Sequence, residues 1–105
     1  MKKIFWLGSS YEDLLAFSVS AKQHAGFNLD KVQRGNEPQD WKPMTSIGKG
    51  VKELRIHCEN EYRVIYLAQR SEGIYVLHSF VKKTEQTSLK DRELAKKRFK
   101  EVPSD

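Results

Sequence analysis

Basic side chains recur in a part of the chain whose composition is typical of β-strands. Residues 51–83 are rich in β-branched and aromatic residues, which favour strands. A guanidinium group binds two phosphate oxygens at once and keeps its charge at any physiological pH. A lysine crowded by other cations has a lowered pKa, and a histidine titrates near neutrality, so both can transfer protons. The side chains that could bind a phosphate and move a proton beside it are Arg55, His57, Arg63, Lys82 and Lys83.

The elements that would position these side chains form an α+β pattern. A strand candidate at Lys2–Leu7 precedes two helices between residues 9 and 33, whose apolar residues recur at helical spacing. Residues 35–44 contain two prolines without periodicity and indicate a loop or an extended segment. Three strands follow within 51–83, and their tight connections predict an antiparallel meander. A helix over about 87–101 completes the pattern.

Alternation along the strands separates the cations from the apolar residues. Leu54 and Ile56 lie on one face of the first strand of the meander, while Arg55 and His57 lie on the other. We expect the helices to cover one face of the sheet and to leave the other face polar, with Arg63 standing there too. Each cation also has an ordinary explanation, as half of a surface salt bridge or as a solvated strand end.

Length and charge restrict the kinds of partner. The 105 residues are the size of one domain, which we expect to span 1–105. The formal net charge is +5, and the stretch from Lys82 to Lys100 alone holds eight basic and three acidic residues. A basic patch of this kind favours an anionic partner, either a nucleic acid or an acidic protein segment. By composition alone, a solvated helix face explains it equally well.

No cofactor and no metal are expected. The three histidines and the single cysteine, Cys58, lack the spacing of zinc ligands. The stretch Gly48–Gly50 is not a phosphate-binding loop, because the rest of that motif is absent. No apolar run approaches the roughly 18–20 residues that a membrane span needs. We therefore expect a cytoplasmic protein without a membrane partner.

Six stretches taken together resemble the RelE/ParE toxin superfamily, and within it the phage-derived HigB-like branch. They occur in the same order over about residues 9–98 and read SSYEDLLAF, GxxLDKVQRGNEPQDWKPM, IGKGVKELRI, YRVIY, IYVLHSFVKKTEQT and DxELAKKR. The resemblance implies a RelE-like fold. In that fold an N-terminal strand and a helical hairpin pack on a twisted, mainly antiparallel sheet, with a C-terminal helix.

The resemblance also implies a function. Members of this superfamily are toxins of type II toxin-antitoxin systems, each neutralised by a co-encoded antitoxin that in the HigB-like branch usually carries a helix-turn-helix domain. The RelE and HigB branches are metal-independent endoribonucleases that cleave mRNA on the ribosome and so inhibit translation. The expected partners are thus an antitoxin, the ribosome and mRNA. Two alternatives remain open: a ParE-like DNA gyrase poison, and a non-catalytic nucleic-acid-binding module of the same fold.

The motifs of this superfamily assign candidate catalytic residues. The stretches ELRI and YRVIY place Arg55 and Arg63 in the site, the strand end places Lys82 and Lys83 there, and His57 could join them. Some relatives carry a catalytic tyrosine after the basic pair, but this chain reads TEQTSL there, so the general base is left open. The candidates for RNA binding are Lys52, Tyr66, Phe80, Lys90, Lys96 and Lys97.

Overall fold

Helices and strands follow one another in the order predicted, with one strand more. A computed structural model describes residues 1–104, in which five strands form a single sheet that packs against three helices. The α+β class is therefore confirmed, and the arrangement is consistent with a RelE-like fold. The elements are β1 (Lys3–Trp6), α1 (Ser10–Leu15), α2 (Val19–Gln33), β2 (Trp41–Pro43), β3 (Val51–Cys58), β4 (Asn60–Arg70), β5 (Gly73–Lys82) and α3 (Leu89–Phe99).

The strands are arranged in the order β1-β5-β4-β3-β2. The predicted meander is present, since β3 pairs antiparallel with β4 and β4 with β5. β1 runs parallel to β5 and pairs with its first part, from Gly73 to Val76. The additional strand β2 lies in the segment predicted as a loop or an extended stretch and pairs antiparallel with β3. Its three residues are too few to show alternation in the sequence.

The two longer helices begin at serine caps. The Oγ of Ser18 accepts a hydrogen bond from the backbone N–H of Ala21 at 3.2 Å, and the Oγ of Ser88 accepts one from Asp91 at 3.1 Å. These bonds satisfy amides that have no partner inside the helix. α2 continues through Gly26, which lies where an added Cβ would meet no atom within 4 Å. Within residues 1–104, no helix is long and apolar enough to cross a membrane.

Both faces of the sheet are covered, and the expectation of one uncovered face was wrong. α1 and α2 pack on the first face, as predicted. α3 and the segment 44–47 cover most of the second face. Apolar residues at consecutive strand positions are typical of a sheet covered on both sides. The side chains buried on the second face include Ile65, Leu67 and Leu77. Towards one end of this face, Arg55 and Lys82 remain partly accessible.

Arg98 anchors α3 to two distant parts of the chain. Its guanidinium is 8% exposed and donates hydrogen bonds to the carbonyl of Leu77 at 2.9 Å and to the Oγ of Ser9 at 3.2 Å. Gly8 has a φ of +54°, and a Cβ added there would overlap the guanidinium. Only glycine fits this turn without strain. One side chain thereby fixes α3 against both β5 and the turn that precedes α1.

Candidate functional site

Strand register brings three of the predicted catalytic residues to one end of the sheet. Arg55 in β3 lies directly opposite Arg63 in β4, and Lys82 in β5 lies opposite Glu61 in β4. Residues opposite each other on antiparallel strands project from the same face with neighbouring side chains. Arg55, Arg63 and Lys82 therefore share one face, which is the face that α3 covers further along the sheet.

Arg63 is buried between two carboxylates rather than open to a ligand. Its side chain is 2% exposed, and its NH2 group donates a hydrogen bond to Oε1 of Glu61 at 3.1 Å. Its Nε lies 3.7 Å from Oε1 of Glu53, and its NH1 donates to the carbonyl of Tyr62 at 2.9 Å. A buried charge persists only when it is paired and hydrogen-bonded. The matching carboxylates hold Arg63 in place and neutralise its charge.

Glu53 is a member of this cluster, although its place in the sequence suggested no more than one half of a surface salt bridge with a strand cation. Its side chain is fully buried, and its Oε2 accepts a hydrogen bond from the hydroxyl of Thr87 at 2.6 Å. Its ion pairs within residues 1–104 are with Arg63 and, at 3.9 Å, with Lys42. The sequence showed a carboxylate on the same face of a strand as two cations, Arg55 and His57. The burial of Glu53 could not be predicted from this, because it depends on α3 and on the segment before α3.

His57 is held by carboxylates on both sides. Its Nδ1 lies 2.6 Å from Oε1 of Glu61, and its Nε2 lies 2.6 Å from Oδ2 of Asp40. Hydrogen bonds to Glu61 first and to Asp40 second raise the pKa of the His57 ring, since both favour the charged form. The hydrogen bond from His57 likewise lowers the pKa of Glu61. With both nitrogens occupied, the ring is not free to take a proton from a substrate in this arrangement.

These contacts form a row of alternating charge across β3 and β4. Each cation of the row lies within 4 Å of two carboxylates. The three carboxylates exceed the two cations by one charge when His57 is protonated, and Lys42, 3.9 Å from Glu53, offsets that excess. The function of the row in the fold is to join the hairpin end, the strand centre and the segment before β2. We call this set the charge-matched row, and it consists of Asp40, His57, Glu61, Arg63 and Glu53.

Arg55 and Lys82 differ from that row because neither has an acidic partner among the described residues. No carboxylate of residues 1–104 lies within 4.0 Å of either side chain, and the Nε of Arg55 is shielded from solvent without a hydrogen bond. Partial burial lowers the pKa of Lys82, and the charges of Arg63, Lys42 and Arg55 lower it further, against an opposing contribution from Glu53. We call Arg55 and Lys82 the open cations. They are the groups of this site that remain available to an anion.

Two of the predicted RNA-binding residues lie on the other face of the sheet. Lys52 donates to Glu37 at 2.9 Å and lies 4.4 Å above the ring of Trp41. Tyr66 is 1% exposed in the core beneath α1 and α2, and burial raises the pKa of its phenol. The ring of Tyr66 therefore offers no surface on which a base could stack, and Lys52 lies away from the open cations.

The remaining predicted residues lie in β5, directly after it, and in α3. Phe80 is 9% exposed and stacks on His78, with 4.7 Å between ring centroids. Lys83 follows directly after β5 and is exposed. The other three, Lys90, Lys96 and Lys97, belong to α3. Lys90 lines a cavity beside α1, whereas Lys96 and Lys97 line another beside the segment 44–47.

The sequence reasoning missed two cations, Lys42 and Arg92. A cavity of about 200 Å³ lies between them, and Ser46, Gln86 and Thr87 also line it. Thr87 is the residue whose hydroxyl binds Glu53, so this cavity adjoins the charge-matched row. Lys42 was hidden in a segment without periodicity, and Arg92 was counted only as one charge of the basic region.

The geometry defines a small α+β domain that gathers cations at one end of an antiparallel sheet, beside a basic helix. The chain belongs to the Gp49-like family of phage-derived proteins (DUF891), whose profile matches residues 12–100. No curated protein and no solved structure matches the chain significantly. The predicted phage-derived family is thus confirmed at this level, and the assignment to the HigB-like branch stays a prediction.

Proposed function

We propose that this chain is the toxin of a type II toxin-antitoxin system and acts in the bacterial cytoplasm as a ribosome-dependent endoribonuclease. The observation that carries the proposal is the pair of open cations, Arg55 and Lys82, at one end of a sheet whose neighbouring charges are matched. Two cations left without carboxylates at a partly accessible site fit a bound phosphate. Membership of a phage-derived family and the resemblance to RelE and HigB toxins support the same reading.

The open cations suit the cleavage of RNA without a metal. The guanidinium of Arg55 binds the scissile phosphate and stabilises the charge of the phosphorane. The lowered pKa of Lys82 increases the fraction of neutral amine, which accepts the proton of the 2′-OH. Lys83 beside it donates a proton to the leaving 5′-oxygen. The products are a 2′,3′-cyclic phosphate and a 5′-OH end.

The charge-matched row positions other groups in this mechanism and does not itself react. Arg63 is fixed by Glu53 and Glu61, and these contacts hold β3 and β4 in place beside the phosphate. His57 holds the segment of Asp40 against the hairpin instead of moving protons. We propose, in addition, that the basic surface of α3 contacts RNA on the ribosome. An acidic segment of a co-encoded antitoxin would cover the same surface.

The test is brief expression in a bacterium, followed by mapping of the 5′ ends of cellular transcripts. Arg55→Ala removes an open cation. Arg34→Ala is a matched control, because Arg34 is exposed and its ion pair among residues 1–104 is with Asp30, four residues before it. New 5′-OH ends inside translated frames, present with the control and absent with Arg55→Ala, support the proposal. Growth arrest with intact transcripts and DNA breaks would instead identify a gyrase poison.

A second function is favoured by one specific observation. Arg63 and His57, two of the five predicted catalytic residues, have their charges matched by carboxylates. The stretch after Lys83 also lacks a tyrosine. These features suit a non-catalytic module that binds nucleic acid through Arg55 and Lys82 alone. Such a module would leave transcripts intact in the same experiment and would still bind RNA in vitro.

A further inference from the structure

We propose that α3 and the segment before β3 form a track for the backbone of a single-stranded nucleic acid, leading to the open cations. The inference rests on the proposed function in one respect, that the physiological strand is RNA. Binding along the track does not itself require that the protein cleaves RNA. We call the set of contacts the basic track. It consists of Lys42, Arg92, Lys96 and Lys100.

The cations of α3 recur at a fixed interval. Arg92, Lys96 and Lys100 are four residues apart, and Lys100 is the helical C-cap of α3, so all three lie along one side of the helix. Four residues of helix rise about 6 Å, comparable to the separation of successive phosphates in an extended strand. Like charges four residues apart destabilise an isolated helix. An anionic ligand along the row would offset that repulsion.

The helix dipole does not account for the whole row. Cations in the last turn of a helix are stabilised by its carbonyl end, which covers Lys96 and Lys100. Arg92 lies near the N-terminus of α3, four residues after the Ser88 cap, where the dipole disfavours a cation. The dipole therefore does not explain the position of Arg92. No carboxylate of residues 1–104 lies within 4.0 Å of it.

Arg92 and Lys42 face one cavity and could both bind an anion placed in it. The Nε of Arg92 is shielded from solvent and makes no hydrogen bond with any described residue. A buried N–H without an acceptor is unfavourable. Lys42 has Glu53 as its nearest carboxylate, at 3.9 Å, which is close to the limit of an ion pair. The cavity of about 200 Å³ between the two cations also carries the Ser46 hydroxyl and the Gln86 amide, which can donate to phosphate oxygens.

A second cavity continues the track along α3. It measures about 440 Å³, and Ser46 lines both it and the first cavity, so the two adjoin. Lys96, Lys97 and Lys100 line its basic side, with the Glu93 carboxylate among them. Ile47 and Phe99 provide an apolar border. A groove that combines backbone-binding cations with an aromatic ring is the usual arrangement for single-stranded nucleic acids. It favours a polynucleotide over an acidic peptide, which has no bases to place against the ring.

The other end of the track reaches the candidate site. Lys42 contributes to the lowered pKa of Lys82 and pairs with Glu53 of the charge-matched row. A strand that lies along α3 and passes Lys42 would therefore bring its next phosphates to Arg55 and Lys82. Lys97, predicted to bind RNA together with Lys96, lines the same cavity.

The test measures binding of fluorescein-labelled oligothymidylate by fluorescence anisotropy over a range of salt concentrations. This probe lacks a 2′-OH, so binding is observed whether or not the protein cleaves RNA. The variant is Arg92→Gln, Lys96→Gln, Lys100→Gln. The control is Lys22→Gln, Lys31→Gln, Arg34→Gln, which removes the same charge on the opposite side of the sheet.

The expected result is a loss of affinity of at least tenfold and a shallower salt dependence. Each phosphate contact contributes about 0.7 to the slope of log K against log salt for a single strand, so three contacts contribute about 2. The control keeps the wild-type slope. The double variant Lys96→Gln, Lys100→Gln retains Arg92 and guards against a folding defect. In this double variant we expect the loss of about two thirds of the contribution that the three contacts make to the slope. Its melting temperature should be unchanged.

Three results would overturn the inference. The first is a wild-type slope in the triple variant, and the second is an equal loss in the control. The third is that poly-L-glutamate binds with the same dependence on the three cations, which would identify a surface for acidic protein. A protein that binds oligothymidylate through the track but leaves transcripts intact would refute the nuclease and not the track.

Discussion

The charge-matched row and the open cations lie side by side on one sheet and use their charges differently. In the row, every cation contacts two carboxylates, and Arg63 and Glu53 are withdrawn from solvent. The open cations have no carboxylate within 4.0 Å among residues 1–104. The charges that act on Lys82 are three cations, Arg63, Lys42 and Arg55, against one carboxylate, Glu53. Matched charges stabilise one arrangement of the strands, because separating a buried ion pair is unfavourable. Unmatched charges store repulsion that a bound anion relieves, which is the property expected of a binding site.

The largest effect should follow from breaking the charge-matched row at its buried centre. Arg63→Ala leaves Glu53 without its buried partner, and removal of one member of such a pair costs roughly 3–5 kcal/mol. Chemical denaturation should show this loss in the free energy of unfolding. Arg55→Ala is the matched control and should change it by roughly 0.5 kcal/mol or less. Equal losses in both variants would contradict the distinction between the two regions.

A second effect should appear in activity instead of stability. Arg55→Ala removes the group proposed to stabilise the phosphorane, and loss of one such donor reduces the rate by about a hundredfold or more. The measurement is the rate of transcript cleavage in a translating extract, at equal concentrations of folded protein. Arg34→Ala should keep the wild-type rate. Full activity of Arg55→Ala would remove the open cations from the mechanism.

A smaller effect should follow pH through His57. The folded-state pKa of this ring is raised above its usual 6.5 by Glu61 and Asp40. Its contribution to stability is therefore complete below pH 6.5 and is lost as the pH rises through the raised value. Because the side chain is half exposed, the contribution should stay below about 1 kcal/mol. Unfolding free energies measured across this window should fall for the wild type. If His57→Gln shows the same fall, the row does not depend on His57.

The smallest effect is expected at Lys52, on the opposite face of the sheet. Its contacts are with Glu37 and Trp41, and an exposed ion pair of this kind contributes roughly 0.2–1 kcal/mol to stability. Lys52→Gln should leave the affinity for oligothymidylate within about twofold of the wild-type value, as one screened charge far from the track should contribute little. A tenfold loss of affinity would mean that nucleic acid also uses this face.

Local rules predicted much of the fold from the sequence. Helical spacing predicted the two helices between residues 9 and 33, and alternation placed Arg55 and Arg63 on the same face of the meander. The covering of that face by α3 was missed, although Ile65 and Leu67 share it with Arg63 and already indicated burial. Arg63 was consequently expected in solvent and lies in the core.

The candidate site was harder to predict because its properties depend on distant residues. Nothing in the spacing of Glu53 and Arg63 shows that the two pair, since the pairing requires the register of β3 with β4 and the cover of α3. The roles of Lys42 and Arg92 depend on a cavity between segments that are far apart in the chain. By contrast, the three-residue strand β2 was missed for a local reason, its shortness.

The anchoring of α3 by Arg98 has a consequence for the order in which the protein assembles during synthesis. Arg98 follows Ser9, to which it donates a hydrogen bond, by 89 residues. β1 likewise cannot pair until β5 has been synthesised. The first strand and the turn at Gly8 are therefore synthesised long before Arg98, whose side chain holds that turn against α3. α3 also forms one wall of the groove that holds the basic track. A nascent chain that ends before α3 cannot bind along that groove, so translation itself delays the appearance of the surface.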